Sequence, residues 1–182
     1  FAHAWRHQAR TSSIPRRYGA TRKIYRYRIW HADVMNPFER AYAWHLPGPL
    51  DIDAMSAAAA LVEGRRDFAA FQGAGSTVTS TEREVFSSRL IGGVGRGLSA
   101  PQDAGPDKAR PTALVVYEVA GNGFLRHMVR NIVGALGEIG RGRRPVEWMT
   151  AVIEGRAREQ AGPTAPPHGL ALVAVEYGAP LL

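Results

Sequence analysis

The stretch Gly123–Gly140, GFLRHMVRNIVGALGEIG, carries the strongest structural pattern in the chain. Its large apolar residues recur at helical spacing, which predicts an amphipathic helix over about Phe124–Ile139 that packs on the core. These residues are Leu125, Met128, Val129, Ile132, Val133, Leu136 and Ile139.

One flank of this predicted helix carries Arg126, Arg130, Gly134 and Gly137 together. A glycine inside a helix costs about 1 kcal/mol relative to alanine, so two of them need a reason. One reason is the close approach of another backbone or of a ligand, and an arginine beside that gap could pair with a carboxylate or a phosphate. The alternative is a solvated arginine beside glycines that only admit a neighbouring segment, and the residues alone leave both open.

The segment Arg22–Trp30, RKIYRYRIW, alternates in character and predicts a strand. Tyr25 and Tyr27 share one face of this strand, and Arg26 and Arg28 share the other. Aromatic rings on a strand can stack on bases, and interleaved arginines can hold phosphates. Equally, the tyrosines could belong to the core and the arginines could face solvent.

The other patterns complete the order β-α-β-β-α-α-β. Hairpin-linked strands beside helices predict an α+β domain with a mostly antiparallel sheet covered by helices. Asp67, in GRRD, is expected to cap the following turn rather than to act in catalysis. The remaining predicted elements are a helix over Asp51–Gly64 with Asp51 as its N-cap, strands over Glu82–Ile91, Thr112–Gly121 and Leu170–Gly178, and a helix over Pro145–Gly155.

The composition favours a polyanionic partner. The 182 residues carry a net charge of +7 and a pI of about 10.4, which indicates nucleic acid first and an anionic membrane surface second, with a merely basic protein as the alternative. Residues 1–30 hold eight Lys and Arg and no acid, as in RNA-binding arms and in organelle transit peptides. The absence of cysteine excludes disulfides and thiolate ligands. No apolar run is long enough to predict a transmembrane helix.

Four segments in this order resemble the C-terminal half of the bacterial-type tRNA pseudouridine synthase A family. The similarity extends from about Arg17 to Tyr177 and implies a pseudouridine synthase C-terminal-like domain over 17–182. An unmatched basic arm over 1–16 would precede it, and a Gly/Pro-rich loop at 92–111 would interrupt it. The four segments are KIYRYRI, LVEGRRDFAAF, FLRHMVRNIVGALGEIGRG and APPHGLALVAVEY.

The resemblance implies a chemistry and roles for three residues. In that family a uridine of tRNA is flipped into a cleft between two similar α/β halves, an aspartate attacks it, and the detached base rejoins through carbon. No metal or organic cofactor is used. By this resemblance Tyr25 stacks on the target base, Arg130 pairs with the catalytic aspartate, and Leu170 lines the pocket.

The residues themselves add Arg26, Arg28 and Arg126 as candidate RNA contacts, because interleaved or exposed arginines can hold phosphates. The expected partner is RNA, with tRNA first and rRNA as the alternative. A homodimer or a separate polypeptide carrying the N-terminal half is a further possible partner, and no membrane association is expected. The expected location is the cytoplasm or an organelle, without secretion.

One departure from the family is severe. The family's nucleophilic aspartate lies in a GRTDAGVH motif that these 182 residues do not contain, and GRRD at Gly64–Asp67 aligns with a different segment. The expectation is therefore an RNA-binding half of a tRNA pseudouridine synthase that is inactive alone. The alternatives are a non-catalytic structural subunit of a ribonucleoprotein, such as an organelle ribosome, and a protein-interaction module that reuses the fold.

Overall fold

The computed structural model describes residues 19–75, 78–92 and 113–178. The arm expected at 1–16, and all but the first residue of the loop expected at 92–111, lie outside these ranges. The described elements are β1 Ala20–Trp30, β2 Trp44–His45, α1 Ile52–Ala60, β3 Gly64–Asp67, β4 Glu82–Ile91, β5 Leu114–Gly121, α2 Met128–Gly140, α3 Trp148–Gly155 and β6 Leu170–Tyr177.

The described strands form one six-stranded sheet. Its order is β2-β1-β5-β4-β3, and β6 pairs with β1 over Ala20–Tyr27, on the edge that β2 continues at Ile29–Trp30. All strand pairs are antiparallel except β1 with β2. The predicted α+β class with a mostly antiparallel sheet is confirmed.

The alternation of β1 decides which face of the sheet becomes the core. Tyr27 and Ile29 lie opposite Tyr117 and Val115 of β5, and all four side chains are fully buried. Helices α1 and α2 pack against each other and contribute to the same apolar cluster. Burying several such side chains contributes about 1.5–3 kcal/mol each, so this face is the main source of stability.

Helix α2 confirms the helix predicted from the apolar spacing of Gly123–Gly140, but it begins at Met128 rather than near Phe124. His127 adopts the left-handed conformation with φ of 60°, which a continuing helix cannot contain. The carbonyl of Arg126 accepts a hydrogen bond from the amide of Gly73 at 2.8 Å. Arg126 therefore lies in a turn outside the helix, and its predicted place on the helical flank was wrong.

Two short strands were missed because neither is long enough to show a periodic pattern: β2 has two residues, and β3 (GRRD) has four. Helix α1 ends at Ala60, short of the predicted Gly64, although its predicted N-cap is confirmed, since Asp51 accepts from the amide of Ala54 at 2.8 Å. Helix α3 begins at Trp148 instead of Pro145.

The structural role predicted for Asp67 is confirmed. Its carboxylate accepts hydrogen bonds from the Thr81 hydroxyl at 2.5 Å and from the Ala69 amide at 3.0 Å. The Thr81 hydrogen bond is the largest effect and lowers the pKa of Asp67. Burial opposes it, and the Ala69 amide and the charge of Arg156 lower the pKa further. Asp67 thus fixes the turn after β3, in the manner of an Asx cap.

On the sheet face opposite the buried Tyr27 and Ile29, ion pairs of Glu118 in β5 connect three adjacent strands. Arg26 of β1 contacts one carboxylate oxygen of Glu118 at 2.8 Å, and Arg89 of β4 contacts the other at 2.7 Å. The carboxylate is buried, whereas both arginines keep contact with water. The Arg89 hydrogen bond, followed by the hydrogen bond and charge of Arg26, lowers the pKa of Glu118 against the opposing effect of burial.

Replacing Glu118 with Gln should remove a pH-dependent part of the stability. Because the pKa of Glu118 is lower in the folded than in the unfolded state, its contribution is complete above about pH 4.3 and is lost as the pH falls through the folded-state pKa. With the arginines partly exposed, we expect Glu118→Gln to lower the free energy of unfolding by about 1 kcal/mol at pH 7. Urea titrations between pH 3 and pH 7 should show the gap between wild type and variant closing at the acidic end.

The matched control is Glu82→Gln, because Glu82 forms an exposed pair with Arg65 at 3.0 Å on the same sheet. Its effect should be small at every pH. A Glu118 variant whose stability stays parallel to that of the wild type across the pH range would contradict this account.

Candidate functional site

The site is built where the segment 162–166 crosses α2. A Cβ added at Gly134 would overlap the carbonyl oxygen of Pro163, so only glycine admits the crossing backbone at this level. The amide of Ala165 donates to the carbonyl of Arg130 at 3.1 Å. A neighbouring backbone segment therefore approaches α2 at Gly134, which both explanations left open by the sequence allow, and the role of the arginine that separates them stays a prediction.

Arg130 faces this crossing segment. Its Nε–H donates to the carbonyl of Ala165 at 2.7 Å, so the side chain and the main chain of Arg130 both bind the same residue. Among the described residues, no carboxylate lies within 4 Å of its guanidinium, and its terminal nitrogens make no hydrogen bond. These nitrogens retain the fork geometry that binds a carboxylate or a phosphate.

Two tyrosines of β1 border the same segment. Tyr27 is fully buried, and its hydroxyl donates to the carbonyl of Pro166 at 2.6 Å, one residue beyond the acceptor of Arg130. Tyr25, two residues earlier on the same strand face, is half-buried and meets Phe124 edge to face at 5.2 Å between ring centroids. Burial raises the pKa of Tyr25, so its phenol stays neutral.

The last strand supplies an apolar wall beside these rings. Leu170 lies opposite Tyr27 in the ladder and is partly buried, and Leu172 lies opposite Tyr25. Directly opposed residues of an antiparallel pair point to the same face, so both leucines share the face of the tyrosines. Leu172 is 52% exposed, which leaves apolar surface beside Tyr25.

The turn before α2 adds Arg126 and His127. Arg126 is exposed and donates to the carbonyl of Gly75 at 3.3 Å. His127 holds a left-handed backbone that is unusual for a non-glycine residue, and such strain is often kept at functional positions. Burial lowers the pKa of His127, and the charges of Arg130, Arg126 and then Arg158 lower it further.

The structure brings Tyr25, Arg130 and Leu170 to one face of the sheet, with Arg126 in the turn before α2. It places Arg26 and Arg28 on the other face. Arg26 binds Glu118, and Arg28 binds Glu39 at 2.6 Å. Because β1 alternates, no rotation of these side chains brings them to the tyrosine face. Their role in RNA binding remains a prediction separate from this site.

Sequence reasoning missed three residues that hold the crossing segment. Asn131 is fully buried on α2, and its amide oxygen accepts from the Thr164 hydroxyl at 2.6 Å and from Arg158 at 3.2 Å. The one available signal was an asparagine inside an apolar helix, which burial requires to be hydrogen-bonded. Its partners lie 27 and 33 residues away, and no local pattern connects them.

Chemically, the site offers a flat aromatic ring, apolar walls and an open guanidinium within one surface. Such a set can stack a planar base and bind an anionic group beside it. Within the described ranges, no cluster of three His, Cys, Asp or Glu could hold a metal ion. The same ranges contain no helix with the length and apolar content needed to cross a membrane.

Fold and site together define an α+β domain that carries a half-buried tyrosine, exposed apolar surface and an open arginine on one face of its sheet. The family model described as tRNA pseudouridine synthase matches residues 58–178, which include the end of α1 and the whole of β3, α2 and β6. The chain belongs to this family.

Curated relatives agree with this assignment. Proteins named tRNA pseudouridine synthase A are 42% identical over 161 residues in Syntrophotalea carbinolica, 44% over 161 residues in Moorella thermoacetica and 39% over 163 residues in Myxococcus xanthus. The matches cover 88%, 88% and 90% of this chain, but only 57%, 58% and 55% of the relatives. The chain therefore spans a little over half the length of the relatives it matches.

Adding one methyl group at Gly134 should displace the crossing segment. Gly134→Ala places its Cβ on the Pro163 carbonyl, and backbone yields less readily than a side chain, so we expect a loss of about 3 kcal/mol in the free energy of unfolding. Urea unfolding measures this loss. Gly155→Ala is the control, because there the new methyl meets only the flexible end of Gln160. Equal stability of the two variants would contradict the proposed fit at Gly134.

His127 should titrate below the ordinary histidine value of about 6.5, and removing a neighbouring charge should raise its pKa. We expect Arg130→Gln to move the midpoint upward, whereas Arg143→Gln, which removes an arginine paired with Glu138, should leave it in place. NMR titration of the imidazole Cε1–H follows both, with His127→Asn as the assignment variant. A midpoint that Arg130→Gln leaves unchanged would contradict this electrostatic account.

Proposed function

We propose that this chain forms the RNA-binding half of a tRNA pseudouridine synthase, which isomerises uridine to pseudouridine in tRNA. The observation that carries the proposal is Arg130. Its guanidinium is oriented by the Ala165 carbonyl, has no carboxylate partner among the described residues, and lies on the face that carries Tyr25. An arginine held open in this way is suited to an acidic group supplied from elsewhere.

Each side chain of the face has a role in this proposal. Tyr25 stacks on the flipped uracil, and Leu170 and Leu172 exclude water from one side of the base. Arg130 pairs with the nucleophilic aspartate and keeps it ionised, because an opposite charge within about 4–6 Å lowers a carboxyl pKa. The aspartate belongs to a GRTDAGVH-type motif that lies outside these 182 residues.

The excess of basic residues would hold the RNA backbone around the flipped nucleotide. The net charge of +7 favours contact with phosphates, and Arg126 lies exposed at the border of the site. In this proposal residues 17–182 form the family domain and the acid-free arm at 1–16 adds further phosphate contacts. The compartment would be one that contains tRNA, the cytoplasm or an organelle.

The edge of β6 is the proposed docking line for the half that carries the aspartate. Among the described strands β6 pairs only with β1, and no described strand lies on its other edge. Leu172, Val173 and Tyr177 of this strand are 46–56% exposed. Unpaired apolar edge strands are normally protected by a partner, and strand addition by the other half would protect this one.

The second candidate is a structural subunit that binds RNA without modifying it. It rests on the same open guanidinium of Arg130, since an arginine binds phosphate as readily as carboxylate. The RNA partner in that case would be rRNA or a ribonucleoprotein. Activity in the presence of the aspartate motif separates the two candidates.

A chimaera tests the proposal. It joins the part of the Moorella thermoacetica relative that this chain does not match to residues 17–182, and tritium release from [5-³H]uridine-labelled tRNA measures turnover. We expect turnover by the chimaera and none by the 182-residue chain alone, because only the chimaera contains the aspartate.

Two variants of the chimaera test the roles of the site residues. Arg130→Ala should lower turnover, because it removes the charge. Tyr25→Phe should largely preserve turnover, because it keeps the aromatic ring. We expect the loss at Arg130 to reach about 100-fold or more.

The control is Arg65→Ala, an exposed arginine paired with Glu82 on β4, far along the sheet from Tyr25. It should leave turnover unchanged. Pseudouridine formation by the 182-residue chain alone would refute the proposal. A folded chimaera that binds tRNA without any turnover would instead support the structural subunit.

A further inference from the structure

Arg158 reaches from the short 3₁₀ turn Arg158–Gln160 to the segment that crosses α2. Its guanidinium donates to the carbonyl of Gly162 at 2.9 Å, to the hydroxyl of Thr164 at 2.8 Å and to the amide oxygen of Asn131 at 3.2 Å. The side chain thus binds both ends of the stretch 162–164 and the helix beneath it. One terminal nitrogen binds Gly162 and the other binds both Thr164 and Asn131, an arrangement that suits the planar fork of an arginine.

All three acceptors of Arg158 are neutral. Among the described residues, no carboxylate lies within 4 Å of its guanidinium, although the side chain is only partly exposed. A half-buried charge is normally paired, so its retention beside neutral acceptors needs a reason. One reason is that Arg158 holds the crossing segment in a fixed position on α2.

The position of this segment determines the position of the carbonyl that binds Arg130. Between the two residues bound by Arg158 lies Pro163, whose carbonyl rests on Gly134. The next residue, Ala165, accepts from Arg130 Nε at 2.7 Å and donates back to the Arg130 carbonyl at 3.1 Å. Any shift of residues 162–164 therefore moves the acceptor that orients the Arg130 guanidinium.

Asn131 connects this hydrogen-bond network to the core. Its side-chain amide donates to the carbonyl of Phe71 at 2.7 Å, while its oxygen accepts from Thr164 and Arg158. The residue next to Arg130 in α2 is thus hydrogen-bonded to the core on one side and to the crossing segment on the other. Satisfied buried networks of this kind rigidify their surroundings.

We propose that Arg158, acting with Thr164 and Asn131, is a positioning residue that fixes the segment 162–166 and thereby the direction of the Arg130 guanidinium. The part of this inference that concerns catalysis rests on the proposed function, whereas the part that concerns geometry stands without it. Arg158 itself contacts no substrate in this scheme. It acts through Ala165.

The geometric part is tested on the 182-residue chain by NMR with ¹⁵N-labelled arginine. Arg130→Lys identifies the Nε–H signal of Arg130, whose exchange with solvent reports its hydrogen bond to Ala165. We expect roughly tenfold faster exchange in Arg158→Lys, because lysine keeps the charge but lacks the second terminal nitrogen, so it cannot reproduce the fork between Gly162 and the Thr164–Asn131 pair. Thr164→Val, which removes one acceptor at nearly constant shape, should give a smaller increase.

Arg65→Ala should leave the exchange rate unchanged, and urea unfolding monitors whether each variant remains folded. An Arg158→Lys variant with wild-type exchange at Arg130 would overturn the inference. If Arg158→Lys does not fold, faster exchange in folded Thr164→Val still supports the network, and unchanged exchange there overturns it.

The catalytic part is tested in the chimaera. A misplaced Arg130 holds the aspartate less well, so Arg158→Lys should lower kcat by about 100-fold while the Kd for tRNA changes by less than about threefold. The acid limb of the kcat/KM profile should move to higher pH, because the aspartate pKa is lowered less strongly. A loss confined to tRNA binding would overturn the positioning role. If the unmodified chimaera has no activity, the proposed function fails, and the exchange measurement alone decides the geometric inference.

Discussion

The crossing of α2 by the segment 162–166 is the contact on which the site depends. It exists because Gly134 has no side chain, and the Pro163 carbonyl occupies the space that a Cβ would need. Once the backbones meet, Ala165 forms two hydrogen bonds with Arg130, and Pro166 accepts the hydroxyl of Tyr27. A buried carbonyl without a donor costs about 1–3 kcal/mol, so these side chains and the segment require one another. The glycine that weakens helix propensity is therefore what allows the helix to orient an arginine.

The alternation of β1 separates two kinds of arginine. On the outer face, Arg26 shares the carboxylate of Glu118 with Arg89, and Arg28 binds Glu39, so these arginines are paired with acidic groups. On the tyrosine face and in the adjoining turn, the partners of Arg130 and Arg126 among the described residues are backbone carbonyls. A guanidinium that donates to a neutral carbonyl keeps its full positive charge, and the surrounding potential stays positive. Burial is the main cause that lowers the pKa of His127, and the positive charges of the neighbouring arginines lower it further. In the proposed function, the face that carries the aromatic ring is therefore also the face that would attract anions.

The sequence predicted what local pattern controls. The apolar spacing of α2, the alternation of β1 and the N-cap at Asp51 each follow from residues within one or two turns, and each is present in the structure. It did not predict β2, because two residues cannot show a period, or the early break at His127, because a left-handed histidine has no sequence signature. The Arg158 network joins residues up to 60 positions apart, so it depends on tertiary folding that no local pattern reports. The roles implied by family resemblance for Tyr25, Arg130 and Leu170 still await the experiments above, although the three residues do share one face.

An arginine without a carboxylate partner among the described residues is compatible with a stable fold only if its charge is not fully buried. Arginine cannot lose its proton, so burying Arg130 completely would leave an uncompensated charge at a cost of several kcal/mol. The structure avoids this cost, because Nε is satisfied by Ala165 while the rest of the side chain remains partly exposed. In the proposed cleft, a carboxylate and a base would displace the remaining water, and the attraction between the two charges would strengthen as the local dielectric constant falls. The aspartate would then be most strongly ionised only when the cleft is complete, which couples the reactivity of the nucleophile to the correct assembly of both halves around the RNA.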